Sequence, residues 1–163
     1  MSKAVTLIMP PSNYKFDEAM KTLRTNLIFC GSNVRTVMFT STQPNEGKSE
    51  VAFSLAASMA QMGKKVLMVD TDIRKSVLMN RYHLSVEVPG LSEYLSGQRS
   101  REEVICETNV ENLHVIFAGT VAPNPAELLE EAAFGRLLKE AREEYDYIIV
   151  DTPPVGTVID GAI

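Results

Sequence analysis

The sequence predicts an α/β fold built on a mainly parallel sheet with helices on both faces. Two observations indicate this class. Four short apolar segments alternate with helical segments, and two of those apolar runs are unbroken and end in aspartate. The four predicted strands are residues 36–39, 65–70, 112–118 and 145–151. Right-handed crossovers bring the carboxyl ends of such strands to one edge, where open α/β sheets bind ligands.

Composition and charge limit the classes of protein that this chain can be. At 163 residues, with 45% apolar and 23% charged residues, it suits a single domain with a real core. The net charge of −5 argues against a large nucleic-acid surface, so we expect no nucleic-acid partner. No apolar run approaches the ~18 residues of a membrane span. We therefore expect a cytoplasmic protein that reaches a membrane only through a partner.

Cysteine usage favours a reducing compartment. The two cysteines, Cys30 and Cys106, form no C-x-x-C pair. This argues against a disulfide framework or a zinc site, so we expect no disulfide partner. Each cysteine is predicted to be a small buried apolar residue.

The predicted organisation is an extended arm over residues 1–16 followed by one domain over residues 17–163. Asp17 is expected to cap the first helix, because aspartate accepts hydrogen bonds from free amides at a helix start. The predicted helices are residues 18–29, 49–62, 74–82 and 91–95, one capped by Ser100 with Glu103, one starting at Pro125 after Asn124, and 134–144.

The stretch between the first strand and its helix is typical of a phosphate-binding loop. A loop entering a helix directs unpaired amides to one point, where the helix dipole adds positive charge. Lys48 would bind the outer phosphates, and Gly47 would let the backbone approach them. The predicted nucleotide-binding residues are Gln43, Pro44, Asn45, Glu46, Gly47, Lys48, Ser49 and Glu50. The full pattern G-x-x-x-x-G-K-S lacks its first glycine, which Thr42 replaces, so an ordinary turn capped by Ser49 is the alternative interpretation.

Acidic residues follow two of the predicted strands at the same edge. Asp70 and Asp72 follow the second strand, and Asp151 follows the fourth. Ser49, Asp70 and Asp151 are predicted to hold a magnesium ion, because hydroxyl and carboxylate oxygens suit that ion. Lys48, Asp70, Asp72 and Asp151 are the predicted catalytic residues, with Asp70 and Asp72 competing to accept a proton. Taken singly, each acid could instead be a helix cap or a surface residue.

Several segments together resemble the cytoplasmic kinase domain of bacterial tyrosine kinases that control capsule and exopolysaccharide synthesis. Residues 41–49 resemble the Walker A loop of this P-loop NTPase family, 66–74 its A′ motif, and 147–154 its Walker B motif. Residues 89–97 and 124–129 are further family-like landmarks. The resemblance implies a P-loop fold, ATP and Mg²⁺ as cofactors, and autophosphorylation on tyrosine. The alternative is a partition-type P-loop ATPase switch without kinase activity.

The resemblance also implies partners. The family docks its subunits into a ring through a Glu-x-x-Arg-x-x-Arg stripe, which here reads Glu18, Lys21 and Arg24. A membrane-embedded polysaccharide co-polymerase activates the family's kinases and is the expected partner. The family continues past its Walker B region and ends in a tyrosine cluster. Because this sequence stops at Ile163, we expect a domain shortened at its C-terminal side.

Overall fold

The computed structural model describes residues 3–9, 11, 13–40, 47–73, 87–130 and 132–153. They form one six-stranded sheet with the strand order β1-β4-β5-β3-β6-β2. The strands are β1 (Lys3–Val5), β2 (Thr36–Phe39), β3 (Val66–Asp70), β4 (Cys106–Thr108), β5 (Leu113–Ile116) and β6 (Tyr147–Asp151). The helices are α1 (Tyr14–Phe29), α2 (Lys48–Gln61), α3 (Leu91–Leu95), α4 (Arg101–Val104), α5 (Pro125–Glu130) and α6 (Ala132–Glu144). The helix predicted over residues 74–82 lies outside the described residues.

The four predicted strands are confirmed and run parallel to one another. β3 lies between β5 and β6, and β6 lies between β3 and β2. Every residue of β3 and β6 is buried, as their unbroken apolar runs predict for strands that are covered on both faces. The carboxyl ends of β2, β3, β5 and β6 therefore share one edge of the sheet, which we call the active edge.

The structure adds two strands that the sequence did not predict. β1 pairs in parallel with β4, and β4 pairs antiparallel with β5. Each has three residues, which is too short for its alternation to stand out from a loop. The segment predicted as an arm therefore contains a strand, and the sheet is mixed rather than purely parallel.

The first helix begins earlier than predicted. Asn13, rather than Asp17, is its N-cap, and the Asn13 side chain accepts a hydrogen bond from Phe16 N at 3.1 Å. Asp17 lies in the first turn, where its negative charge suits the helix dipole. Residues 14–16 are therefore helical, so the helix takes in the end of the predicted arm.

Helices cover both faces of the sheet, as predicted. One apolar cluster joins α2 and the inner side of α1 to alternate residues of the strands, including Met68 and Ile149. A second joins α3, α4 and α6 to the intervening residues, including Val69 and Val150. Small residues on α2, such as Ala52 and Ala56, are fully buried and let this helix pack closely on the sheet. This packing fixes the start of α2 over the active edge.

One expectation about the cysteines is wrong. Cys106 is buried in β4, and burial raises the pKa of its thiol to about 11. Cys30 is exposed at the C-cap of α1. No helix in the described ranges combines the length and apolar character that crossing a bilayer requires.

Candidate nucleotide site

The site is built from the start of α2 and the ends of β3 and β6. Gly47 is the N-cap of α2 with φ +74°, a left-handed conformation that favours glycine. Val51 N donates to Gly47 O at 3.0 Å, so the helix is continuous from its first turn. The predicted nucleotide-binding residues Gln43, Pro44, Asn45 and Glu46 lie outside the described residues. Glu50 is described and lies in the first turn of α2.

Lys48, Ser49 and Asp151 are in direct contact. The Lys48 ammonium forms an ion pair with Asp151 Oδ1, and Ser49 Oγ donates to Asp151 Oδ2 at 2.6 Å. The side chains of Lys48 and Asp151 are 11% and 2% exposed, so water screens this pair poorly. Residues that are a hundred positions apart in sequence thus meet in one buried polar cluster.

Asp70 lies next to Asp151 in the sheet. The two are register partners on β3 and β6, and each is 1% exposed. Asp70 Oδ1 accepts a hydrogen bond from Asp72 N at 3.0 Å, which fixes the turn after β3. Two carboxylates side by side in a buried site need a positive charge nearby, and Lys48 supplies one.

These residues fit a magnesium ion by their chemistry. Magnesium prefers oxygen ligands and is usually held by one or two carboxylates together with substrate phosphates. Ser49 Oγ and the Asp151 carboxylate are already adjacent, and Asp70 is the neighbouring acid. In the described part of the chain, no group of three or more His, Cys, Asp or Glu side chains could hold a metal by itself. A magnesium ion here would take its further oxygen ligands from phosphates and water.

Two threonines that the sequence analysis missed stabilise the active edge. Thr71 N and Oγ1 donate to Asp151 O at 2.9 and 2.8 Å. Thr152 N and Oγ1 donate to Phe39 O at 3.0 and 2.6 Å. Each threonine thus ties the end of its strand to the next strand. The repeated Asp-Thr pair after β3 and β6 is the sequence signal that could have revealed this role.

The predicted interface residues do not form one exposed stripe. Lys21 and Glu18 make an exposed ion pair at 3.0 Å on α1. Arg24 instead turns toward α2, where its Nη1 donates to Ser58 O at 3.1 Å and to Ser58 Oγ at 3.0 Å. Arg24 therefore joins α1 to the helix that carries Lys48. The predicted role of all three residues in subunit contacts remains a prediction.

Comparison with known proteins identifies the family. Residues 34–162 match the family model described as an AAA domain. Over 149 residues, the chain is 42% identical to the tyrosine-protein kinase CpsD of Streptococcus agalactiae, covering 91% of this chain and 65% of CpsD. It is 38% identical to the tyrosine-protein kinase YwqD of Bacillus subtilis, covering 100% of this chain and 69% of YwqD. The chain belongs to the bacterial tyrosine kinase family.

Solved structures agree with this assignment. The kinase domain of the Escherichia coli tyrosine kinase ETK superimposes with a TM-score of 0.84 and 35% identity, covering 99% of this chain and 72% of that one. The Mg-ADP complex of the septum-site protein MinD from Pyrococcus horikoshii gives 0.64 and 26%, covering 74% and 49%. The predicted P-loop NTPase fold is thus confirmed, and the kinase branch is more similar than the septum-site branch. Since the chain spans only 65% of CpsD, these similarities describe part of that protein.

Proposed function

We propose that this chain is the catalytic part of an ATP- and Mg²⁺-dependent protein-tyrosine autokinase that acts in capsule or exopolysaccharide production. The contact of Lys48 and Ser49 with Asp151, next to Asp70, is the observation that carries the proposal. These are the groups that phosphoryl transfer needs to clamp phosphates and fix a metal. The family membership and the names of the relatives support tyrosine as the acceptor.

In the proposed mechanism, the protein mainly positions and neutralises charge. Lys48 leaves Asp151 to bind the outer phosphates of ATP, while the amides at the start of α2 bind their oxygens. Ser49, Asp151 and Asp70 would hold a magnesium ion, which would offset the charge of the transferring phosphoryl group. Asp70 or Asp72 accepts the proton from the tyrosine hydroxyl. The tyrosine oxygen then bonds to the γ-phosphorus, and ADP leaves with the electrons of the broken P–O bond.

The described tyrosines differ in how accessible they are as phosphate acceptors. Tyr14 is 79% exposed, whereas Tyr145 and Tyr147 are buried in the sheet region. Tyr94 is partly buried, and its hydroxyl lies 3.4 Å from Ala133 O. Among the tyrosines that the structure describes, Tyr14 is therefore the most accessible acceptor. We propose that acceptors lie on another copy of the chain.

Partners are also part of the proposal. A membrane-embedded co-polymerase protein would activate the kinase, and copies of the chain would associate in a ring through α1. The exposed Glu18–Lys21 pair supports a contact surface there, whereas Arg24 is engaged within the chain. Sedimentation of the chain alone and of Lys21→Glu tests the ring. If both the unaltered chain and Lys21→Glu sediment as monomers, self-association of this chain is contradicted.

The kinase proposal is tested with ATP labelled on the γ-phosphate. The chain is incubated with Mg²⁺, with and without a full-length kinase that carries an inactivating Lys→Met change in its Walker A loop, and phosphotyrosine is detected. We expect label on tyrosine that is lost in Lys48→Met. Lys139→Met, an exposed lysine on α6, is the matched control and should keep the activity. Label that is insensitive to Lys48→Met would contradict the proposed site.

Release of free phosphate without tyrosine labelling would support the second candidate, a nucleotide-hydrolysing switch. The scarcity of exposed tyrosine among the described residues favours this candidate. Loss of phosphate release in Lys48→Met would then show that the same site performs hydrolysis.

A further inference from the structure

Glu93 joins α3 to the loop that follows β5. We call residues 117–124 the β5–α5 loop. Glu93 Oε1 accepts hydrogen bonds from Thr120 N at 3.0 Å and from Thr120 Oγ1 at 2.6 Å. Glu93 Oε2 accepts from Gly90 N at 3.1 Å and from Ser92 Oγ at 2.8 Å. Only the bond to Gly90 belongs to the cap of α3, so the other contacts need another explanation.

The charged state of Glu93 suits this role. Burial pushes the pKa of the Glu93 carboxyl up, but the hydrogen bonds from Thr120, Ser92 and Gly90 together outweigh it and leave the pKa below its ordinary value. Glu93 is therefore a carboxylate at neutral pH, with both oxygens already accepting protein donors. A carboxylate in this state holds its hydrogen-bond donors in place and has little capacity left to accept hydrogen bonds from a substrate.

Two glycines let α3 and the β5–α5 loop come this close. A Cβ on Gly90 would lie 2.3 Å from Phe117 O, and Leu91 N donates to that same oxygen at 2.7 Å. Gly119 has φ +83°, and a Cβ there would lie 2.1 Å from Glu93 Oε2. The two segments thus meet at backbone distance, and the loop has no room to shift toward α3.

The β5–α5 loop in turn holds the segment that carries Asp70, the last residue of β3, and Asp72. Ala122 N donates to Ile73 O at 2.9 Å, and Ile73 N donates to Thr71 O at 2.9 Å. Thr71 is bonded to Asp151 O, as described above. Contacts therefore run without a break from Glu93 through the loop to segment 70–73, which contains Asp70 and Asp72.

We propose that Glu93 is a positioning residue: it holds the β5–α5 loop and, through Ala122, keeps segment 70–73 in place for the magnesium-bound nucleotide. The proposal rests on the proposed function for its effect on magnesium. Its structural part, that Glu93 restrains segment 70–73, stands on the hydrogen bonds alone. A glutamate that only capped α3 would restrain the helix and leave this segment unaffected.

The test compares Glu93→Gln with Glu103→Gln. Glu103 occupies the same third position in the capping box of α4, and its hydrogen bonds go to Ser100 and Arg99. Thr120→Val is the second variant, because it removes one donor to Glu93 and leaves the α3 cap intact. Two quantities are measured on the full chain. They are the amide exchange of Ile73 and Ala122, and the affinity for a fluorescent ADP analogue with Mg²⁺ and with EDTA.

We expect Glu93→Gln and Thr120→Val to speed exchange at Ile73 and Ala122. We also expect them to reduce the Mg²⁺-dependent gain in affinity about 10-fold, the size typical of lost outer-shell contacts. The affinity in EDTA should stay unchanged, and Glu103→Gln should change neither quantity. Unchanged exchange at Ile73 and Ala122 in Glu93→Gln would overturn the proposal, as would equal effects of Glu93→Gln and Glu103→Gln.

The experiment tests the role of Glu93 and the proposed function separately. If the unaltered chain shows no Mg²⁺-dependent gain in affinity, the proposed function fails, and the exchange data alone decide the role of Glu93. Faster exchange confined to segment 70–73 and the β5–α5 loop would then still support it.

Discussion

Removing both members of the Lys48–Asp151 pair should destabilise the fold by less than the two single removals added together. The pair is buried, and among the residues that the structure describes, Ser49 Oγ also donates to the Asp151 carboxylate. In Lys48→Met, that carboxylate would stay beside Asp70 with its countercharge gone. In Asp151→Asn, the Lys48 ammonium would stay buried beside a neutral amide. Either change leaves one buried charge without the countercharge that it faces in the unaltered chain.

The size of the effect follows from the burial. Breaking a buried ion pair from one side costs about 3–5 kcal/mol. For a chain of this length, about 3 kcal/mol lowers Tm by about 6–12 °C. The double variant Lys48→Met/Asp151→Asn removes both charges of the pair, so its loss should be smaller than the sum of the two single losses. We expect a coupling energy of about 2 kcal/mol or more.

Urea unfolding without nucleotide measures all four proteins of this cycle. The matched control is the cycle of Lys21→Met and Glu18→Gln, whose side chains are 56% and 47% exposed. An exposed pair of this kind should give a coupling energy of only about 0.5 kcal/mol. A coupling energy for the Lys48–Asp151 cycle as small as that of this control would show that burial does not strengthen the Lys48–Asp151 interaction.

Three further predictions test the fold. Gly90→Ala should lower the free energy of unfolding, measured by thermal unfolding, by about 3 kcal/mol, because its Cβ would lie 2.3 Å from a backbone oxygen of the β5–α5 loop. The control is Gly135→Ala, whose Cβ would meet nothing within 4 Å, and it should be neutral or stabilising. A thiol reagent at pH 8 should modify the exposed Cys30 quickly and Cys106 only after unfolding, since the pKa of Cys106 is about 11; rapid modification of both in the native state would contradict this. Burial lowers the pKa of His114 below its ordinary value, so the imidazole takes up a proton when the chain unfolds near that pH. The free energy of unfolding should therefore fall as pH drops through about 6.5, and His114→Gln should weaken this fall.

The sequence predicted the centre of the sheet and the β2 edge well, but it missed β1 and β4 at the opposite edge. β3 and β6 are long apolar runs between helices, and such runs are distinctive even without neighbours. β1 and β4 have three residues each and are strands only because they find each other and β5. Pairing between segments a hundred residues apart is a tertiary event that local patterns do not encode.

The site shows the same division. Lys48, Ser49, Asp70 and Asp151 were predicted from motif spacing, and the structure brings Lys48 and Ser49 to Asp151 beside Asp70. Arg24 was predicted from spacing as well, but its spacing on α1 could not show that Ser58 on α2 would bind its guanidinium. Glu93 was visible only as part of a family-like segment. Its role depends on Thr120, which lies 27 positions away and contacts Glu93 only in the folded chain.

The Lys48–Asp151 pair places stability and function in competition. Lys48 stabilises the fold while it neutralises Asp151, yet the proposed reaction requires the same ammonium at the phosphates. Lys48 can leave without an energetic penalty only if another cation takes its place beside Asp151 and Asp70. A magnesium ion bound through Ser49 and Asp151 would meet that need, since it brings two positive charges to the oxygens that Lys48 and Ser49 now contact. The pair therefore explains physically why the metal should strengthen nucleotide binding at this site: the ion compensates the acids and frees Lys48 in the same event.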